Sequence, residues 1–144
     1  MLKTLSVVGL FMMAGGVFGL WTVGSLFSPS PFVIAVQAFA VAFFLWARIT
    51  FGRRSFHAAA DPTGGGLVTT GPYRFIRHPI YTAICLFAWA GVAAQLSLVS
   101  AALGALVLAG GLVRMLCEEP LVAAVYPEYR DYARKTKRMI PFVF

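Results

Sequence analysis

The chain has 144 residues, 60% of them hydrophobic and 12% charged, with a mean hydropathy of +0.82. Water-soluble domains carry about 25% charged residues, so this composition excludes one and places the chain in lipid. The formal net charge of +7 is better explained by insertion topology and anionic lipid than by nucleic acid, since no basic recognition module is visible.

Residues 5–27 form the first apolar run. Although Lys3 precedes it, the run exceeds the about 7 to 15 residues of a cleaved signal's apolar region, so it predicts a membrane helix. Residues 32–46, extended by 49–51, predict a second, with Arg48 as its first charge. Both read as scaffold helices (1–52): Gly15 and Gly19 form a small-xxx-small pair, and Gly9, Gly16 and Gly24 would let backbones approach. Residues 53–78 follow as a turn-rich cytoplasmic loop containing Arg53, Arg54, His57, Asp61 and the glycines 64–66, for which a hinge fits better than a phosphate cradle. Residues 80–115 are twice the length of one span and break near 95–97, predicting a helical hairpin over 79–117. Glu118, Glu119 and Pro120 should end the fourth helix. The tail 118–144, with Tyr126, Tyr129 and Tyr132 at every third residue and a basic end, reads as a cytoplasmic interfacial helical segment.

The expected fold is therefore all-α, a single polytopic domain over 1–144 with four transmembrane helices. Lys and Arg are missing from the connections at 28–31 and 95–97 and fall on the other side, which makes the termini and the middle loop cytoplasmic by the positive-inside rule. Cys85 and Cys117 have neither disulfide-framework nor metal-ligand spacing and read as small core residues.

Chemistry concentrates in GPYRFIRHPIY, residues 71–81. Pro79 suits the first position of the third helix and holds His78 just outside it. The helix start, Arg74 and Arg77 together favour an anion. The fourth helix returns to the same face carrying two acids at its negative end, which costs about 0.3 to 1 kcal/mol per exposed charge and calls for cations nearby. Arg114, one turn before Glu118, supplies one. A mixed-charge ligand suits such a place. S-adenosylmethionine has the pattern: a carboxylate for Arg or helix N–H groups, an ammonium and ribose hydroxyls for Glu, and a sulfonium for aromatic faces.

RHPIY at 77–81, Glu118-Glu119 after a hairpin, then Tyr126-Pro127-Glu128-Tyr129, Tyr132 and a basic tail ending in Pro141 resemble the isoprenylcysteine carboxyl methyltransferase family and its phospholipid N-methyltransferase relatives. The resemblance covers about the last 80 residues and departs at Tyr126-Pro127, where relatives commonly have Phe-Gly. It implies an integral membrane, multi-pass enzyme using S-adenosyl-L-methionine, with its active site facing the cytoplasm and a lipophilic small-molecule substrate entering between helices. An isoprenylcysteine-like carboxylate leads the acceptor classes, with phospholipid, amine or thiol as alternatives. The residues assigned to chemistry are Arg77, His78, Arg114 and Glu119. Those assigned to the cofactor are Tyr73, His78, Tyr81, Glu118 and Glu119.

Each assignment has a plainer rival. His78 would serve as a helix cap, the tyrosines as interface belt, Glu118 and Glu119 as partners of Arg77, Arg114 or tail arginines, and Arg48 and Arg114 as snorkelling cations. Arg130 and the later basic residues read as facing membrane lipids. From another class, a non-catalytic protein binding lipid headgroups or a partner would share the basic face. Four helices enclose a pocket poorly, and a homodimer is one way to complete it.

Overall fold

Long apolar runs without internal charge form helices in lipid because only intrahelical hydrogen bonds satisfy the backbone there. The computed structural model describes residues 1–52 and 66–144; the readings placed on Arg53, Arg54, His57, Asp61 and Gly64–Gly65 lie outside them. The elements are α1 (Leu2–Thr22), α2 (Pro31–Phe51), a 3-10 turn (Gly71–Arg74), α3 (Pro79–Ala94), α4 (Leu98–Val125) and α5 (Tyr129–Lys135). The all-helical membrane fold is as expected. Among the described residues, α1, α2 and α4 are long and apolar enough to cross a bilayer. The 16 residues of α3 reach about 24 Å, short of the about 30 Å hydrocarbon core.

The end of the fourth helix differs from the sequence reading. Pro120 does not end the fourth helix; α4 runs through it for 28 residues to Val125. Proline removes one N–H from the ladder, yet membrane helices tolerate it because their surroundings re-satisfy the freed groups, and apolar Leu121 and Val122 continue the wall beyond it. At its other end a reciprocal cap starts α4: Ser97 Oγ accepts from the Ser100 amide at 3.0 Å, and Ser100 Oγ accepts from the Ser97 amide at 2.8 Å.

The helices do not pack in chain order. α1 lies along α4, α4 meets α3, and α3 lies along α2, so the first two helices stand on opposite flanks. Glycine permits the α1–α4 contact. A Cβ on Gly110 would lie 2.6 Å from the Gly9 carbonyl oxygen, and one on Gly16 would lie 2.9 Å from that of Leu103. Gly19 also faces Leu103, but Gly15 faces open space, so the close approach runs through Gly9, Gly16 and Gly19 and not through the Gly15–Gly19 pair. Gly24 serves the α1–α2 connection with φ +72°, not packing. Two glutamine amides pin that connection: Gln37 Nε2 donates to the Leu26 carbonyl at 2.7 Å and to that of Phe87 at 3.2 Å, and Gln95 Nε2 donates to Phe27 at 2.7 Å.

Gly110→Ala should therefore lower the melting temperature in detergent by the equivalent of about 1 to 3 kcal/mol of overpacking. Gly15→Ala should leave it unchanged in the same melt. Equal behaviour of the two would contradict this packing.

Candidate active site

Pro79 is the first residue of α3, and His78 sits before it with φ −123° and ψ 55°, outside the helical region. Its φ is that of a residue preceding proline, and its ψ avoids the α region that the proline ring disfavours without reaching the fully extended range. It leaves the imidazole at the mouth of α3, stacked on Tyr81 at a 13° interplanar angle with centroids 5.7 Å apart. Facing it from α4 are Glu118 and Glu119. His78 Nε2 lies 3.3 Å from Glu119 Oε1, and Nδ1 lies 3.9 Å from Glu118 Oε2.

Each acid has its own set of partners. Glu119 accepts from Arg77 Nε at 3.0 Å and from Arg138 through Nε at 3.2 Å and Nη2 at 3.1 Å. Arg77 continues outward, its Nη1 donating to the carbonyls of Ala133 at 3.0 Å and Thr136 at 2.6 Å. Glu118 accepts from the Tyr81 hydroxyl and from Arg114 Nη2 at 3.2 Å. Arg114 also donates from Nε to the Tyr81 oxygen at 2.9 Å and from Nη1 to the Ser6 carbonyl at 3.1 Å. It is 6% exposed, so it crosses the interior to α1 and does not snorkel.

The structure brings Arg77, His78, Tyr81, Arg114, Glu118 and Glu119 into one network. The reason expected for this differs from the one found. Both acids lie about two turns before the end of α4, beyond the reach of the helix dipole. Their cation partners, not an unfavourable helix end, explain their surroundings. The anion beside Arg77 and the α3 start is this acid pair. Arg74 stays outside, exposed over Phe75 at 4.9 Å.

Tyr73 is buried against Phe51 with ring centroids 5.4 Å apart and lines the cavity above the network. Tyr132 donates from its hydroxyl to the Tyr73 carbonyl at 2.7 Å. Burial pushes the phenol of Tyr132 up to about 12 and raises those of Tyr73 and Tyr129, so all three keep their protons as donors near neutral pH.

The tail is not simply a surface anchor. After α5 it turns back along the segment before α3: Arg77 N donates to the Lys137 carbonyl at 2.8 Å, His78 N to that of Arg138 at 2.9 Å, and Lys137 N to that of Phe75 at 3.2 Å. Thr82 Oγ1 bonds the Met139 carbonyl at 2.9 Å. This strap delivers Arg138, read from sequence as lipid-facing, to Glu119. Nothing local marks Arg138 among the tail's basic residues; the one available signal was that a single arginine does not offset two glutamates.

A cavity of about 970 Å³ opens above the network, within the upper range of small-molecule sites. Its polar floor takes in His78, Tyr81, Arg114, Glu118 and Glu119, and Tyr73, Tyr126, Tyr129 and Tyr132 also line it. Its walls are apolar and follow α1 from Leu10 to Trp21, a height of about 16 Å. From α2 it takes Phe44, Arg48 and Phe51. Arg48 also escaped the sequence reading, because an arginine near a helix end is ordinarily a snorkelling one.

The phospholipid methyltransferase family model matches residues 32–129, more than half of the chain and every network residue except Arg138. The chain is also similar to the nickel-cobalt-cadmium resistance protein NccN of Alcaligenes xylosoxydans xylosoxydans, at 40% identity over 80 residues, 52% of this chain and 36% of the relative. The chain thus spans little more than a third of that relative's length. No solved structure matches.

Arg77→Gln should destabilise the protein by about 1.5 to 3 kcal/mol, since it takes one charged donor from a half-buried carboxylate that keeps Arg138 and His78. Arg134→Gln, which removes an exposed pair with Asp131, should not move the melting curve. Similar melts for the two variants would show that the Glu119 cluster does not hold the fold.

Proposed function

We propose that this chain, which belongs to the phospholipid methyltransferase family, transfers a methyl group from S-adenosylmethionine to a lipophilic acceptor, foremost a carboxylate. The membership supports methyltransferase activity in a membrane; the cofactor, the acceptor, four crossings and a cytoplasmic site are the proposal. The observation that carries it is one cavity with an ion-paired polar floor and tall apolar walls. Such a shape suits a charged cofactor meeting an apolar acceptor. A short α3 can still cross if the bilayer thins or flanking residues adapt.

The donor set fits the cofactor. Glu118 and Glu119 offer carboxylate oxygens for an ammonium and ribose hydroxyls, Arg114 and Arg77 offer N–H groups for a carboxylate, and Tyr73, Tyr81 and Tyr126 offer aromatic faces for adenine or a cationic sulfur. When bound, S-adenosylmethionine supplies an activated methyl group on a good leaving group. The protein's part is then positioning and exclusion of water. Arg77 and Arg138 fix the Glu119 carboxylate, Arg114 and Tyr81 fix that of Glu118, and the α1 wall keeps water from the acceptor.

A carboxylate acceptor is ionised near neutral pH and needs no base. An amine or thiol, the second reading, would give up a proton, and His78 with both acids within 4 Å is placed to take it. The family's phospholipid description keeps that reading in view.

Calorimetric titration of the detergent-purified protein with S-adenosylhomocysteine should give saturable binding. His78→Ala and Glu119→Ala should weaken it by about tenfold or more, the scale of a lost charge-assisted hydrogen bond, while Lys137→Ala should bind as wild type. No saturable binding up to high micromolar concentration would favour a non-catalytic membrane protein.

A further inference from the structure

The tail's tyrosines, Tyr126, Tyr129 and Tyr132, line the cavity, and the apolar side chains that the tail exposes lie farther on. Ile140, Phe142 and Val143 are exposed, Phe142 at 89%, and so is Phe75 on the segment paired with the strap. The tip of the strap is a closed hook. The Met139 and Ile140 amides both donate to the Phe144 oxygen at 2.7 Å, and the Phe144 amide donates back to the Ile140 carbonyl at 3.1 Å. Inside the hook Phe142 has φ +66°, the left-handed region that a bulky side chain enters at a cost. The hook thus holds an aromatic ring outward, with almost none of its surface covered by the protein.

The depth of the hook follows from α4. From Leu98 to Glu119 the helix rises about 32 Å, which matches a hydrocarbon core of about 30 Å. Glu119 therefore sits where hydrocarbon gives way to headgroups. The strap is bonded to Glu119 through Arg138 and to residues 77 and 78 through their amides, so it lies at the same depth. An outward phenylalanine there meets the upper acyl chains, while the exposed cations Arg74 and Lys137 suit the phosphate level beside it.

The hook also touches the acid network. The Arg138 guanidinium carbon lies 5.5 Å from the Phe144 ring centroid, while its Nε and Nη2 bond Glu119. Among the three side chains bonded to Glu119, Arg138 is the most exposed, at 35% against 9% for Arg77 and His78. Its place depends most on what surrounds it.

We infer that the hook at residues 139–144 inserts into the boundary between hydrocarbon and headgroups of the membrane that the helices cross. This contact holds Arg138 against Glu119, so lipid at that surface sets the order of the acid network. Arg138 is then a positioning residue, acting on the site through Glu119. The inference rests on the helices crossing a bilayer and not on methyl transfer.

The test uses the full chain in phosphatidylcholine vesicles. An environment-sensitive fluorophore on Phe142→Cys should be quenched by phospholipid carrying a nitroxide near the top of its acyl chain. Wild type taken through the same labelling corrects for Cys85 and Cys117, both buried. A label that this lipid does not quench overturns the insertion. The second readout is amide hydrogen exchange at Arg77 and His78, whose N–H groups bond the strap. Phe142→Asn accepts the left-handed backbone at least as well as phenylalanine, so only the ring's contact is lost. It should speed exchange at both amides by about tenfold or more, the scale of losing a buried aromatic side chain, and leave Val107 of α4 protected. Phe142→Leu should exchange nearly as wild type. Unchanged exchange in Phe142→Asn overturns the coupling. Should that variant lose protection at Val107 too, Val143→Asn decides, and wild-type exchange at Arg77 and His78 there overturns it. Neither readout uses S-adenosylhomocysteine or an acceptor, so failure of the methyl-transfer reading leaves the hook standing.

Discussion

A carboxylate carried into a membrane helix must be met by cations and donors, because removing it from water costs several kcal/mol that only close partners offset. Glu119 imposes that constraint here, and its three partners come from two separate parts of the chain. Arg77 and His78 arrive from the segment before α3, and Arg138 arrives from the far end of the strap. To bring them in, the strap has to lie along residues 75–78, which it does through backbone hydrogen bonds at 2.8 to 3.2 Å. Arg77 then ties the end of α5 down through the Ala133 and Thr136 carbonyls. The Glu118 half repeats the logic deeper in the bundle, where Arg114 links α4 to Tyr81 of α3 and to the Ser6 carbonyl of α1.

Those two clusters close one end of the cavity and leave the rest apolar. Because α1 and α2 stand on opposite flanks, the space between them stays open above the α3–α4 floor. α1 supplies a tall wall and α2 a shorter one, from Phe44 through Arg48 to Phe51. A polar floor beside an apolar channel lets a charged reactant and an oily one meet without either leaving its preferred surroundings. That division is the physical basis for the methyl-transfer reading.

Much of this was legible in the residues. Run lengths gave the three long apolar helices, Pro79 gave the start of α3 and the placement of His78, and the antiparallel hairpin gave the meeting of residues 77–81 with 118–119. The length of α4 was misread because a Glu-Glu-Pro string resembles a helix end in water, whereas a membrane helix can run through proline. Gly15 was misassigned because spacing alone does not say which face of α1 meets α4. Arg138 could not be singled out among the tail arginines offered to the acids, and Arg48 was read as snorkelling, for a common reason: a basic residue near a helix end or in a tail looks the same whether it faces lipid or a distant carboxylate or cavity. Only the return of the strap and the order α1–α4–α3–α2 separate those cases, and both depend on contacts far apart in sequence.

The central claim is that the cavity joins a methyl donor to a lipophilic acceptor. Its most direct test is to incubate the purified protein with S-adenosylmethionine labelled in its methyl group and a total membrane lipid extract, then count label in the organic phase. The account predicts label entering one lipophilic species with wild type and none with Glu119→Gln. Label absent from the organic phase with wild type, or equal label with both proteins, would contradict it.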